Sequence, residues 1–216
     1  MKHIDCLIFD LDGTLIDSSV GVVDSVNYSL RMMHQPEQPA ERIVRFIGFP
    51  LSQMYREFTT APVDELRRHF HVRAAEVMVG STVVLDGVPE TLVRLKSASY
   101  RMAIATTKIR RHLDGVVARY GWNELFETLV ASDEVANVKP APDAFRLAIE
   151  RLGTTSRRAV VVGDTINDVN AAHSVPMKVI AVKSPYGGLE ELKASQPEYL
   201  IGALPDLPAL LETFNR

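Results

Sequence analysis

The sequence predicts an α/β fold, a Rossmann-like parallel sheet flanked by helices and carrying one inserted all-helical domain. Three observations lead there. Apolar runs of strand length recur at Ile4 to Phe9, Met102 to Ala105, Leu129 to Ala131, Ala159 to Val162 and Val179 to Val182, with helix-compatible stretches between them. That alternation is the pattern of strands joined by crossover helices. The runs are almost continuously hydrophobic, as expected of strands covered on both faces. From about Ser18 to Gly80 no such run occurs, and the chain reads as helical instead.

The first run ends in Asp10-Leu11-Asp12-Gly13-Thr14. Residues i and i+2 of a strand point the same way, so Asp10 and Asp12 share a face if the strand continues, while Gly13 and Thr14 offer backbone N–H groups at a bend. Two carboxylates beside bare amides suit a cation and a phosphate, although an Asp-Gly pair alone is also a common turn signal. The helical segment is punctuated by Pro36, Pro39, Pro50 and Pro62, and within it Leu66, Phe70, Ala74 and Val77 follow the 4, 4, 3 spacing of one helical face. Gly80 and Gly87-Val88-Pro89 mark the return to the core. This predicts a discontinuous core, residues 1–17 and 81–216, around a helical cap, residues 18–80.

The second run leads into Thr106-Thr107-Lys108, which puts hydroxyls and amides at a strand tip where a phosphate oxygen can be bound. Lys139 stands before Pro140-Ala141-Pro142 and an expected helix from Asp143 to Leu152, at an element boundary rather than on an open helix face. The run Ala159 to Val162 repeats the first layout, closing in Gly163-Asp164-Thr165-Ile166-Asn167-Asp168. In an open parallel sheet the carboxyl ends of the strands lie along one edge, where ligands bind. Asp10, Asp12, Asp164 and Asp168 are therefore expected to converge. Two unit charges about 4 Å apart repel by about 4 kcal/mol at an effective dielectric near 20, so clustered carboxylates hold either protons or a cation. An all-oxygen ligand set favours magnesium over zinc, and a nearby Lys139 ammonium would offset the repulsion and stabilise a bound phosphate.

Composition removes several classes. With 216 residues and 46% hydrophobic content the chain can bury a full core beside a small second domain. The single Cys6 cannot form an internal disulfide and sits in an apolar run, so it reads as a small buried side chain. A formal charge of −3 gives no basic footprint for nucleic acid. No apolar stretch is long enough to span a bilayer and no leader pattern precedes the first strand, so neither a membrane nor secretion is expected and a cytoplasmic location is predicted. His34, His69, His71, His112 and His173 show no metal-ligand spacing and receive no role.

In order, spacing and context these motifs resemble those of the haloacid dehalogenase superfamily, in its phosphatase branch with a helical cap, and the likeness covers essentially the full chain. Asp10 to Thr14 is similar to the nucleophile motif, Thr106 to the second-motif hydroxyl, Lys139 in Lys-Pro-Ala-Pro-Asp to the third-motif lysine, and Gly163 to Asp168 to the acidic fourth motif. The resemblance implies that Asp10 attacks phosphorus to form an aspartyl phosphate, while Asp12 protonates the leaving oxygen and then activates water. It implies that Thr106 and Lys139 stabilise the transferring group, with Gly13, Thr14, Thr107 and Lys108 contacting substrate. Magnesium would be held by the Asp10 carboxylate, the Asp12 backbone carbonyl and Asp164, with Asp168 supporting through water or Lys139. The segment Arg45 to Leu51 resembles the part of the cap that reaches over the active site, where Arg42 or Arg45 could bind a substrate anion through its planar fork.

Asp12 favours phosphoryl chemistry over dehalogenation, because the dehalogenating relatives lack that acid. The implied activity is hydrolysis of a small phosphorylated metabolite. Asp10 to Ser18 looks more like phosphoglycolate phosphatases and the related pyrophosphatases than like sugar-phosphate mutases. Thr106-Thr107-Lys108 departs from the Thr-Asn-Lys common in phosphoglycolate phosphatases, which keeps inorganic pyrophosphate or a nucleotide as alternative substrates. A non-catalytic phosphate-ligand binder of the same fold would be expected to have lost a reacting group, and this chain retains all six.

Overall fold

The computed structural model describes residues 4–214; residues 1–3 and 215–216, the outer ends of the expected core segments, lie outside the described residues. Strand β1 (Cys6–Phe9) leads through a tight turn to the two-residue β2 (Ile16–Asp17) and into four helices, α1 (Ser19–Met32), α2 (Ala40–Ile43), α3 (Leu51–Phe58) and α4 (Val63–Ser81). The chain returns through β3 (Val83–Val84) to α5 (Val88–Ser97), β4 (Arg101–Ala105), α6 (Arg110–Arg119), β5 (Thr128–Val130) and α7 (Asp143–Leu152). It closes with β6 (Ala159–Gly163), α8 (Ile166–His173), β7 (Lys178–Val182), α9 (Leu189–Ala194), β8 (Tyr199–Ile201) and α10 (Leu207–Phe214).

Six strands form one parallel sheet in the order β5-β4-β1-β6-β7-β8. Side chains alternate across it. Leu7, Phe9, Met102, Ile104, Val160 and Val162 pack on one face with α5, α6 and α10, and Cys6, Ile8, Ala103, Ala105 and Val161 pack on the other with α7, α8 and α9. Each core strand thus feeds two apolar layers, which is why it reads as an unbroken hydrophobic run. Cys6 is fully buried, and burial pushes its thiol pKa up, as suits a packing residue.

All five expected runs are strands of this sheet. The sixth, β8, was not expected: it is a three-residue edge strand whose Tyr199 and Leu200 stay over a third exposed. Nor was the antiparallel pair of β2 and β3, which clamps together the two chain passages into and out of the helices.

The helical insertion α1–α4 has its own apolar cluster, including Val26, Leu30, Tyr55, Leu66, Phe70 and Met78. The buried stripe of α4 is Leu66, Phe70, Ala74 and Met78; Val77, expected to complete it, is only half-buried. Three successive steps of four residues make the stripe wind around the helix, bringing Met78 against α1. The two helices approach so closely at Gly21 that a Cβ there would lie 2.5 Å from Ser81 Oγ and 3.2 Å from the Met78 Cα. Gly80 is not a stop. The helix continues to Ser81, and Thr82 makes the return, its hydroxyl donating to the Met78 carbonyl at 2.8 Å and its own carbonyl accepting from the Tyr120 hydroxyl at 2.6 Å.

Candidate active site

The sheet order places the site. β1 lies between β4 and β6, and the chain builds β4 and β5 on one side of it before crossing back to β6, so a crevice opens at the carboxyl ends of these strands. Ladder bonds run just past the strand ends and fix the residues there: the Asp10 N–H donates to the Val162 carbonyl at 2.8 Å, and the Thr106 N–H to the Val130 carbonyl at 3.0 Å.

Asp10, Lys139, Asp164 and Asp168 meet in this crevice, each at most 2% exposed. The Lys139 ammonium spends its three donors on Asp10 Oδ1 at 2.5 Å, Asp168 Oδ1 at 2.6 Å and the Ala105 carbonyl at 3.1 Å. Asp168 also forms the capping box of α8, its Oδ2 accepting from the Thr165 N–H at 3.1 Å and hydroxyl at 2.7 Å. Its two oxygens thus anchor a helix and a lysine together. Asp164 Oδ1 accepts from the Thr14 hydroxyl at 3.1 Å, while its Oδ2 is buried without a hydrogen-bond partner among the described residues. Gly13 makes room: its φ is +84°, and a Cβ there would sit 2.1 Å from that same oxygen.

One carboxylate oxygen from each of Asp10, Asp164 and Asp168 lies within 4.8 Å of the others. Burial pushes the Asp10 pKa up to about 7, against the pull of Lys139, with Asp168 adding to the rise. Burial, followed by the Asp10 and Asp168 charges, holds Asp164 well above the usual carboxylate range. Burial alone would lower Lys139, but its two carboxylate partners outweigh it and raise it instead. Three buried carboxylates against one ammonium leave uncompensated negative charge, and with an orphaned Asp164 oxygen the donor set is all oxygen. The residues fit a hard divalent cation.

Asp12 does not join the cluster. The chain bends at Gly13, so the strand alternation that would aim Asp12 beside Asp10 ends, and the Asp12 carboxylate accepts from the Ser18 hydroxyl and pairs with the Lys108 ammonium at 3.0 Å. The expected convergence of four side chains is therefore a convergence of three. Thr106 lies at the strand tip, its hydroxyl accepting from the Lys108 N–H at 3.1 Å. Ser18 closes the Asp10 to Ser18 stretch, but nothing in the sequence pairs it with Asp12, and Tyr186 binds this turn from 169 positions away in sequence, its hydroxyl donating to Asp17 at 3.0 Å while accepting the Ser18 N–H at 3.1 Å.

The insertion leans over the site through the segment 47–49. Gly48 has a φ of +88°, its Cβ position would be 2.8 Å from Thr165 Cγ2, and its carbonyl accepts from the Asn167 amide at 3.4 Å. Beside it a cavity of about 650 Å³ is walled by Arg45, Glu41, Asp164, Thr165 and Tyr186. Arg42 is spoken for within the insertion, donating to Gln38 at 2.6 Å and the Glu57 carbonyl at 2.9 Å and stacking on Phe58. Arg45 is the arginine that faces this cavity.

A six-stranded parallel sheet with a helical insertion after its first inner strand, and an Asp-Lys-Asp-Asp cluster at the strand ends, defines a hydrolase class. Residues 7–182 match the family described as haloacid dehalogenase-like hydrolase, and the chain belongs to that family. It is an enzyme of that fold. Among its relatives is the pyrophosphatase PpaX of Bacillus velezensis, 32% identical over 206 residues that cover 95% of each chain. Among solved structures it is similar to a predicted phosphoglycolate phosphatase from Haemophilus somnus 129pt, with a TM-score of 0.86, 25% identity and coverage of 97% of this chain and 99% of that one. A predicted phosphatase from Clostridium acetobutylicum superposes with a TM-score of 0.89 at 26% identity over 97% and 99% of the two chains.

Proposed function

We propose that the chain is a magnesium-dependent phosphatase that hydrolyses a small phosphorylated metabolite through an aspartyl phosphate on Asp10. The observation that carries this reading is the contrast between two carboxylates two positions apart. Asp10 is buried against Lys139 and the other acids, whereas Asp12 is held apart by Ser18 and Lys108. Pairs of acids in different surroundings divide nucleophilic and proton-transfer work between them.

In this reading an Asp10 oxygen attacks phosphorus and the bond to the leaving oxygen breaks, while Asp12 gives that oxygen a proton. Asp12 then takes a proton from the water that displaces phosphate from Asp10. Dividing the reaction in two replaces one difficult step with two easier ones. Lys139 and the Thr106 hydroxyl stabilise the phosphoryl oxygens, and the Thr14 and Thr107 region supplies backbone donors; the Gly13 N–H, expected to be one of them, donates instead to the Ile16 carbonyl at 2.8 Å across the turn. The Asp10 carboxylate, the Asp12 backbone carbonyl and Asp164 would hold magnesium, and Asp168 acts through Lys139. When bound, the cation supplies positive charge where negative charge develops on the phosphoryl group.

Two substrates lead. A relative named pyrophosphatase supports inorganic pyrophosphate; a similar structure described as a phosphoglycolate phosphatase supports phosphoglycolate. Phosphate release across a metabolite panel tests the reading: turnover should vanish on chelation and return with magnesium, and calcium, with its longer bonds and looser shell, should restore little. Full turnover by metal-free protein would contradict it.

A further inference from the structure

On the Asp12 side of the site, between core and insertion, lies a second cavity of about 80 Å³. Asp12, Thr107, Lys108 and His112 line it from the core, and Phe70 and His71 from α4. Two ring nitrogens in this wall, His112 Nε2 and His71 Nδ1, are buried with no hydrogen-bond partner among the described residues, and His112 is only 4% exposed as a whole residue. An unpaired buried polar atom is costly to the fold. The two side chains, one from the core and one from the insertion, line the same void beside a lysine paired with Asp12 and leave hydrogen-bonding capacity unused next to it. Burial first, and then the Lys108 charge, lowers the His112 pKa to about 4; burial and Arg67 lower His71. Both rings are therefore held in the neutral form, and the cation of this wall is Lys108.

Asp12 faces this small cavity and not the 650 Å³ one. A general acid must stand within hydrogen-bond reach of the oxygen it protonates, so if Asp12 has that role the leaving group occupies the small cavity. We propose that this cavity is the leaving-group subsite, in which His112 Nε2, His71 Nδ1 and the Lys108 ammonium bind an anionic oxygen at the far end of the leaving group. The substrate is then a compact anion with a charge at each end, its leaving group a phosphate or a short carboxylate. The proposal rests on the roles given above to Asp10 and Asp12. The size agrees: a water takes up about 30 Å³ of liquid, so the cavity holds a few heavy atoms, whereas drug-sized ligands need several hundred Å³.

The test measures kcat/KM of the full-length protein with magnesium for pyrophosphate, phosphoglycolate, acetyl phosphate, glucose 6-phosphate and ADP. Pyrophosphate or phosphoglycolate should lead, and the one that does identifies the far-end group as phosphate or carboxylate. His112→Leu should lower kcat/KM for that compound roughly ten- to a hundredfold more than for acetyl phosphate, which is as small but has no anionic far end, because a hydrogen bond to a charged group is lost. His71→Leu should show the same selective loss, independently of how well the first variant folds. His112→Gln, whose amide reaches the Nε2 position, should recover most of it. Glucose 6-phosphate or ADP matching the small two-ended anions, or equal losses for the two-ended anion and acetyl phosphate, would overturn the subsite while leaving the hydrolase reading intact. No turnover of any compound would remove both.

Discussion

Asp10 sits in a charge balance that reverses with its surroundings. Its pKa is pushed up to about 7 by burial, against the pull of Lys139. A carboxyl that is harder to ionise folded than unfolded stabilises the fold below its ordinary value of 3.8, and that contribution is lost as pH rises through about 7. Asp164 shifts in the same direction. His112 works the opposite way, since its lowered pKa supplies stability above 6.5 that is lost as pH falls toward about 4. Comparing the wild type with Asp10→Asn cancels the histidine. In magnesium-free buffer the variant should melt higher than the wild type at pH 8, with an advantage that shrinks toward pH 5. A difference that stayed constant with pH would mean that Lys139 fully compensates the Asp10 charge. The acids of this site were legible as residues, because Asp10 and Asp164 each close an apolar run at a glycine-bearing turn and Asp12 and Asp168 follow within four positions. Their division into a cluster of three and a separate Asp12 was not, because it depends on where the chain bends at Gly13 and on Ser18 and Lys108 coming to meet Asp12.

Among the elements, the insertion is where sequence reading is least sharp. The proline punctuation and the apolar spacing of α4 show a helical block, but the choice of Met78 over Val77 follows from the crossing with α1 at Gly21, a contact between positions far apart in sequence. Strands β2 and β3 are too short to show a period, and β8 is exposed at the edge, so neither carries the run that marks the inner strands. The two cap arginines also look alike in sequence, and only their partners separate them. Arg42 is bound within the insertion. Arg45 is exposed at the wall of the larger cavity, on the Asp164 side. We assign it the capture of incoming anions rather than contact with the leaving group. Arg45→Ala should raise KM for an anionic substrate at low salt, lowering kcat/KM by about tenfold or less. The gap should narrow as salt shortens the Debye length, about 8 Å at physiological strength. A gap unaffected by salt would mean direct contact, and no gap would free Arg45 from any role in binding.

For the whole molecule, the order of the strands carries the function. Placing β1 between β4 and β6 gathers Asp10, Thr106 and Asp164 at one edge, although they are scattered across most of the chain. That gathering was predictable from the parallel-sheet pattern alone, because the edge where carboxyl ends meet is common to all such sheets. The partnerships of Ser18 and Tyr186 were not predictable, because Tyr186 meets Asp17 and Ser18 from 169 and 168 positions away, and His71 and His112 come to one cavity only when α4 packs against the core. Among the described residues no helix is long and apolar enough to cross a membrane. The carboxylate that takes the phosphoryl group decides the mechanism. Rapid-quench labelling with radiolabelled substrate, followed by peptide mapping, measures this directly, and Asp12→Asn, which keeps Asp10 but lacks the carboxylate proposed to activate water, should prolong the labelled state. The label is expected on Asp10 in both proteins and absent from Asp10→Asn. Label on any other residue, or normal labelling of Asp10→Asn, would contradict the account.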